Sequence, residues 1–418
     1  MHVLLVNNIY PPFVAGGAEL IVAWLAEGLA ERGHRVTVVS TCGPEMEPYP
    51  VEEVNGVTVI RFFPDNVYWN FTRGPRQTRM RKARWHLRDA WNRAAGRRFR
   101  GVLDQTAPDV MHTHLIDGLS ATVWHQAKAA GVPVLHTAHD YHLMCPRAFM
   151  LDRNWNICRN PSLGCRLYRS WHLSTARSVD LFTSPSRFLL DQHQQAGMTA
   201  GAVAVVPNGI PMKARPVPPR GDRVRLLLMC RLTIEKGVRV VLDAMARLPA
   251  ACPVELVVAG RGVLEQEVRD AADRDPRISF VGYVSGLAKE ELLASANHVL
   301  LPSLWYENAP VSIIEAAAFG LGVIGSRIGA IPEFVQAGRT GVLFPPGDAQ
   351  ALAATIEGLA DGSVALPYLA ENARAVVETH SVGRMVETYE GLYRELLGSH
   401  AEAEDAKARP AMVAGMPS

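Results

Sequence analysis

Apolar positions along the chain fall into short β-branched runs, separated by longer stretches in which apolar residues recur every three or four positions. The runs are His2–Val6, Arg35–Ser40, Val57–Phe62, Asp109–His112, Pro133–Thr137, Leu181–Ser184 and Ala202–Val206. After an interruption they resume at Val224–Met229, Val254–Ala259, Ile278–Val281, His298–Leu301, Gly322–Gly325 and Gly341–Phe344. Short apolar runs alternating with helical periodicity are the pattern of parallel strands covered by helices on both faces. The interruption, Pro211–Gly221, holds four prolines and a glycine, which neither a helix nor a sheet interior accepts. The pattern predicts an α/β protein of two doubly wound, Rossmann-like domains facing across a cleft. An N-terminal domain spans 1–210, a linker 211–222 and a C-terminal domain 223–383, followed by a helix over 384–397. The Ala-, Glu- and Pro-rich segment 398–418 reads as a disordered tail. A cleft between strand ends, hinged at prolines, suits an enzyme that closes over two substrates.

Composition narrows this only to class. With 418 residues, 48% hydrophobic and 20% charged, the chain is neither disordered, coiled-coil nor collagen-like. No apolar run reaches the ~20 residues that span a bilayer, and the first residues lack the basic start of a secretory leader. Six cysteines are too few for a disulfide scaffold, so a cytoplasmic protein with reduced thiols is expected. Charge changes the picture locally. The total is +2, yet Arg73–Arg100 carries eleven basic residues and one acid, leaving the remainder acidic.

Three loops carry candidate chemistry. The first strand runs into Gly16-Gly17-Ala18-Glu19 and an apolar helix, a turn whose backbone amides can approach an anion. It matches neither a dinucleotide fingerprint nor a P-loop. The first strand of the second half ends in Arg231, with Lys236 just before the next helix, and two such cations can neutralise a diphosphate. The third loop, Leu301–Ala316, is the most specific. Glu307 and Asn308 precede a helix that Pro310 is suited to open, so that amides at Ala309, Val311 and Ser312 face the cleft. Glu315, further along that helix, is placed to accept hydrogen bonds from vicinal hydroxyls. A nucleotide-sugar fits this layout, with its ribose at Glu315, its diphosphate at the amides and its sugar at Glu307.

Arg231-x4-Lys236-Gly237 and Glu307-x7-Glu315 resemble the sugar-donor signatures of retaining GT-B glycosyltransferases of family 4, the glycosyl transferases group 1 type. Pro207-Asn208-Gly209-Ile210 is similar to that family's hinge, Gly16-Gly17-Ala18-Glu19 to its first loop, and His136-Thr137-Ala138-His139-Asp140 to its N-domain histidine motif. The resemblance runs from Met1 to about Leu397 and implies the GT-B fold, with the helix over 384–397 crossing back to the N-domain. It further implies that Arg231 and Lys236 stabilise the leaving nucleoside diphosphate, without a metal or other cofactor. Glu315 would hold the ribose, Glu307 the sugar, and His139 would lie over the reaction centre. Gly16 and Gly17 would offer amides, and Asn308, Ala309, Pro310 and Val311 would complete the sugar-donor site. Arg261 departs from the Asp common at its position, and Ala330 from a second Gly in Gly329-Ala330-Ile331-Pro332-Glu333. The implied activity is transfer of a sugar to a glycan, lipid-linked or small-molecule acceptor in envelope or extracellular polysaccharide or glycoconjugate synthesis. A nucleotide-sugar epimerase, a phosphorylase and a non-catalytic nucleotide-sugar scaffold are the alternatives on the same fold.

Other features admit plainer readings. His112 and His114 are spaced like metal ligands on a strand, but no third ligand accompanies them, which favours a packed or cleft-lining pair. Cys145, Cys158 and Cys165 lack a close cysteine pair, and a loop of thiols is favoured over zinc. In the basic stretch, Leu87, Trp91, Ala95, Phe99 and Val102 form an apolar stripe among arginines, with Trp85 nearby. A basic amphipathic helix with tryptophan suits an anionic membrane surface, with Arg84, Trp85, Arg88 and Trp91 on the membrane or acceptor side. Packing on the domain is the rival reading. No nucleic-acid-binding motif is present.

Overall fold

The computed structural model describes residues 1–71, 77–213, 223–364, 366 and 376–408. Arg73, Arg76, linker residues 214–222 and tail residues 409–418 lie outside the described residues. The N-terminal domain is an eight-stranded sheet: β1 (His2–Val6), β2 (Arg35–Thr41), β3 (Glu52–Val54), β4 (Val57–Phe62), β5 (Val110–Thr113), β6 (Val134–Thr137), β7 (Leu181–Ser184) and β8 (Ala202–Val205). Their spatial order is β3-β4-β2-β1-β5-β6-β7-β8, and every pair is parallel except β3–β4. β3 was not expected. Its three residues are charged or half-buried and show no apolar run.

The C-terminal domain is a six-stranded parallel sheet of β9 (Val224–Met229), β10 (Val254–Ala259), β11 (Ile278–Gly282), β12 (His298–Leu301), β13 (Gly322–Ser326) and β14 (Gly341–Phe344). Its order, β11-β10-β9-β12-β13-β14, reverses direction between β9 and β12. The N-terminal sheet reverses likewise between β1 and β5. At both switch points the neighbouring connections leave for opposite faces, opening a crevice at the strands' carboxyl ends. Each sheet is buried on both faces, as its apolar strands require: Val3, Leu5 and Leu25 pack on one side of the first sheet, and Leu4, Met111 and Phe182 on the other.

The last helix runs Val382–Ala408, longer at both ends than 384–397. Part of the expected disordered tail is therefore helical, because Ala401–Ala408 consists mainly of strong helix formers with no proline before Pro410. This helix packs on the N-terminal domain. Met385, Val386, Tyr389 and Tyr393 join its core, and a Cβ on Gly28 would lie 2.7 Å from Val386. Tyr393 hydrogen-bonds His112 Nδ1 at 2.7 Å, and Tyr389 meets Thr137 at 2.9 Å. Glu390 binds His34 at 2.5 Å and Arg32 at 2.7 Å. The Pro207–Ile210 motif meets the start of the helix: Ile210 N–H donates to the His380 carbonyl at 2.8 Å, and Ile210 bridges Ser381.

The basic stretch forms two helices, Arg79–Ala90 and Arg93–Thr106, where one continuous stripe was expected. Trp91 leaves helical geometry, and Asn92 caps the second helix by accepting from Ala95 N–H at 3.1 Å. The break rotates the stripe. Ala95, Phe99 and Val102 are buried, whereas Leu87 is 76% exposed. Trp85, expected at an interface, is buried and donates its indole N–H to the Tyr68 carbonyl at 3.0 Å. Trp91 is half-buried against Trp171, while Arg84 and Arg88 are exposed.

Candidate active-site cleft

The loops leaving β1, β6, β9 and β12 converge on one cavity of about 560 Å³ between the domains. Gly16, Gly17 and His139 line it from the N-terminal side. Arg231, Lys236, Glu307, Asn308, Ala309, Pro310, Val311 and Glu315 line it from the other. Every catalytic and sugar-donor candidate is thus brought to a single cleft. Arg84, Trp85, Arg88 and Trp91 are not part of it.

Lys236 and Glu307 form the most buried charge pair there. The Lys236 ammonium donates to Glu307 Oε1 at 2.7 Å, and Ser303 Oγ and Trp305 Nε1 donate to the same oxygen at 2.5 and 2.8 Å. The ammonium also lies 5.0 Å from the Trp305 ring centre. Burial pushes the Glu307 carboxyl up, but the Lys236 charge and the three hydrogen bonds outweigh it and hold the carboxyl below its ordinary value. Two glycines make the approach feasible. Gly237, at φ +71, runs so close to β12 that a Cβ would sit 1.8 Å from the Pro302 carbonyl oxygen. Gly329, at φ +60, lets its loop lie on Glu307, whose carbonyl accepts the Ala330 N–H at 2.8 Å.

Arg231 leaves the end of β9 half-exposed, 3.6 Å from the buried Glu235 carboxylate. Pro310 caps the Val311–Ala318 helix, one position earlier than expected, so the amides of Val311 and Ser312 head the helix. Amides in this position have no intrahelical carbonyl to bond and carry the positive end of the helix dipole. Opposite them the first loop closes to within contact distance: a Cβ on Gly17 would lie 3.9 Å from Val311. The Gly16 amide, expected to serve the sugar donor, instead donates to the buried Glu19 carboxylate at 2.8 Å. Glu19 braces the loop, so this amide is already used.

His139 comes from the other side. Its Nε2 lies 2.9 Å from Nδ1 of His114, and the rings stack at 5.1 Å. Burial holds His114 well below the ordinary imidazole range and brings His139 down to about 4, so both are neutral at pH 7 and one N–H is shared between them. His112 is tied to Tyr393 and Thr137. Of the two expected readings of the strand histidines the packed one holds: His112 and His114 are both buried, and neither lines the cleft. Among the described residues, no group of three or more His, Cys, Asp or Glu is arranged to hold a metal. Cys145, Cys158 and Cys165 are free thiols.

Two residues lining the cleft, Lys289 and Tyr283, were not singled out from the sequence. Lys289 donates to Glu315 Oε1 at 2.5 Å. Arg261 lies over the Tyr283 ring at 4.8 Å, and both line the cavity. Side-chain hydrogen bonds also join the two domains. Asn308 Nδ2 donates to the His139 carbonyl at 2.7 Å, leaving its Oδ1 buried without a partner in the protein. The Glu333 carboxylate accepts the amides of Arg187, at 2.8 Å, and Phe188, at the start of the Arg187–Gln195 helix. Glu333 was visible as part of the Gly329–Glu333 motif, but its partner helix is 145 residues away in sequence. The cleft as built can bind an anion at Arg231, Lys236 and the helix amides, with carboxylates on either side for hydroxyl groups.

Residues 223–361 match the family model described as glycosyl transferases group 1, and residues 16–209 match the glycosyl transferase 4-like domain. Over 395 residues the chain is 32% identical to the glycogen synthase of Mycobacterium tuberculosis, covering 90% of this chain and 89% of that protein. The chain belongs to glycosyltransferase family 4. This family 4 chain is also 29% identical, over 80% of its length and 87% of the relative's, to an uncharacterized 42.6 kDa protein in the cps region of Klebsiella pneumoniae. Its fold matches sucrose-phosphate synthase from Thermosynechococcus elongatus with a TM-score of 0.73 at 22% identity, covering 95% and 99% of the two chains. It matches Anabaena HepE in complex with UDP at 0.69 and 19%, covering 94% and 100%. The architecture is GT-B. No helix among the described residues is long and apolar enough to cross a membrane.

Proposed function

We propose that this family 4 glycosyltransferase moves a sugar, with retention of anomeric configuration, from a nucleoside-diphosphate sugar to a glycan, lipid-linked or small-molecule acceptor. The setting is synthesis of an envelope or extracellular polysaccharide or glycoconjugate. The observation that carries this reading is the convergence of Arg231, Lys236 and the Val311 helix start on one cleft, flanked by Glu307 and Glu315. The cps-region relative supports the setting, and the UDP held by a GT-B structure of the same fold supports the sugar donor.

In this reading the acceptor hydroxyl attacks the anomeric carbon from the face the diphosphate leaves. The bond from that carbon to the phosphate oxygen breaks, and the hydroxyl proton passes to the departing phosphate. Arg231, Lys236 and the helix amides stabilise the growing charge, the largest contribution asked of the protein. They supply the positive charge that a metal ion would otherwise bring, so the reading assigns no role to a metal. Glu315 takes the ribose hydroxyls, with Lys289 holding its carboxylate in place. Glu307 faces the sugar, and neutral His139 lies over it as a hydrogen-bonding group. Family membership, with all four charged residues in place, favours transfer over the epimerase, phosphorylase and scaffold alternatives.

The test is a thermal-shift panel of UDP, GDP, ADP and dTDP sugars, with Mg²⁺ or EDTA, on the wild type and Glu315→Ala. A ligand at about 100 times its Kd stabilises by ~2.7 kcal/mol. One nucleotide class should raise the melting temperature, equally with EDTA, and the variant should lose the effect. An EDTA-sensitive shift would remove the metal-free reading, and no shift with any sugar would remove the sugar-donor assignment. An NMR determination of the product anomer decides retention.

A further inference from the structure

The Arg79–Ala90 and Leu163–Thr175 helices lie side by side on the outside of the N-terminal domain. His86 meets Tyr168 with ring centres 6.2 Å apart, and Trp171 donates its indole N–H to the Ala90 carbonyl at 2.8 Å. Their inner sides are anchored by Trp85, bonded to the Tyr68 carbonyl, and Tyr168, bonded to that of His142. Their outer sides are open, with Trp171 tied at one edge through its indole N–H. Met80 and Leu87 are each 76% exposed, Leu163 71%, Leu167 63% and Trp171 46%. These five are nearly half of the twelve large hydrophobic residues exposed among the described residues, so the apolar exposure is concentrated on this face.

Helical spacing makes stripes of them. Positions 80, 84, 87 and 88 fall on one side of the first helix, and 163, 167 and 171 on one side of the second. The first stripe is interleaved with cations. Arg79, Arg81, Arg84 and Arg88 lie on or flank it and are all exposed, whereas Lys82 falls on the other side of the helix, and the one acid of that helix, Asp89, is buried, accepting the Gly118 N–H at 2.7 Å.

We propose that this two-helix face seats on an anionic lipid bilayer, with the five apolar side chains entering the headgroup region and the four arginines against lipid phosphates. Charge selects the occupant. In a symmetric dimer the same patch would face itself, setting four arginines against four. A nucleic acid would use the cations but leave the apolar stripes uncovered. An anionic bilayer satisfies both at once. The inserting residues differ from those expected of the sequence: Trp85 is inside the domain, and the second helix supplies three of the five. The inference does not rest on the sugar-transfer reading.

Flotation of the full chain with phosphatidylcholine vesicles, with or without about 30 mol % phosphatidylglycerol, tests it. The chain should float only with the anionic vesicles, and less so as salt rises. Arg84→Ser/Arg88→Ser should weaken partitioning about 25-fold, from about fivefold per cation. Leu87→Ser/Leu167→Ser should weaken it at least about tenfold. Met80→Ser/Leu163→Ser provides an independent apolar pair, and unchanged melting temperatures show that each variant folds. Absence of flotation, or flotation that these variants retain, overturns the proposal. So does a concentration-dependent dimer in sedimentation that the apolar variants dissolve, since that would make a second copy the occupant.

Discussion

Replacing Lys236 with Met separates what the Lys236–Glu307 pair does for the fold from what it does for the reaction. The change leaves Glu307, 5% exposed, with only Ser303 and Trp305 as donors. Breaking a buried pair from one side costs ~3–5 kcal/mol, and because the Lys236 side chain is 16% exposed the low end applies, about 3 kcal/mol. The Glu307 carboxyl then loses the charge that holds it down, and burial carries it upward. Wild type draws stability from this carboxylate above its ordinary range and loses it as pH falls through the lower folded value; in Lys236→Met the raised folded value reverses the slope, so that the variant should gain stability as pH falls and the stranded carboxylate is protonated. Turnover should fall about 10²–10³-fold, the usual effect of removing one preorganised group facing developing charge. Adding Glu307→Gln removes the stranded charge, so Lys236→Met/Glu307→Gln should recover to within about 1 kcal/mol of wild type. It should not recover turnover. Urea unfolding of the four proteins and release of nucleoside diphosphate are the two assays. If the double variant is as unstable as the sum of the singles within about 0.5 kcal/mol, the pairing argument fails. If Lys236→Met turns over normally, its leaving-group role fails.

Other expectations follow from contacts already described. Burial lowers His139 and His193 to about 4 and His172 to about 3, so the unfolded chain binds more protons below the ordinary histidine value of 6.5. Stability should fall as pH drops from about 6.5 towards 4, by up to ~4 kcal/mol per pH unit if the three act together, and a flat urea midpoint between pH 7.5 and 5 would contradict their neutral packing. Glu333→Ala removes the cross-domain acceptor of the first two amides of the Arg187–Gln195 helix, whose N-cap Ser186 remains; it should cost about 1 kcal/mol and raise the radius of gyration in small-angle scattering as the cleft opens. Gly237→Ala places a Cβ against the Pro302 carbonyl at positive φ and should cost about 3 kcal/mol in denaturant unfolding.

Most strands were legible because they are apolar runs, and thirteen of the fourteen among the described residues stand where those runs do. β3, with Glu52, Glu53 and Val54, has no such run and forms only by pairing with β4. The cleft loops were legible because each follows a strand of known direction, and parallel sheets bring such ends together. What stayed hidden lies across the sheets or across the cleft. Nothing local in His114 tells that it stands behind His139, or in Glu19 that it takes the Gly16 amide. The basic segment misled because a stripe counted at helical spacing assumes one helix, and Trp91–Asn92 breaks it. Trp85 then turns inward while Leu87 remains outside.

The return of the last helix to the first domain has a consequence for how the chain can be divided. A cut in the linker would not yield two self-sufficient pieces. Residues 1–210 alone would bare the groove along Gly28, strand out the His112 and Thr137 polar groups that Tyr393 and Tyr389 complete, and free His34 from Glu390. The second piece would carry an apolar helix with nothing beneath it. Because Ile210 is bonded to residues 380–381, both passages between the domains run side by side and work as one pivot. The helix itself stays fixed on the first domain, so a probe at its start, beside residues 380–381, should report any change in the angle between the domains.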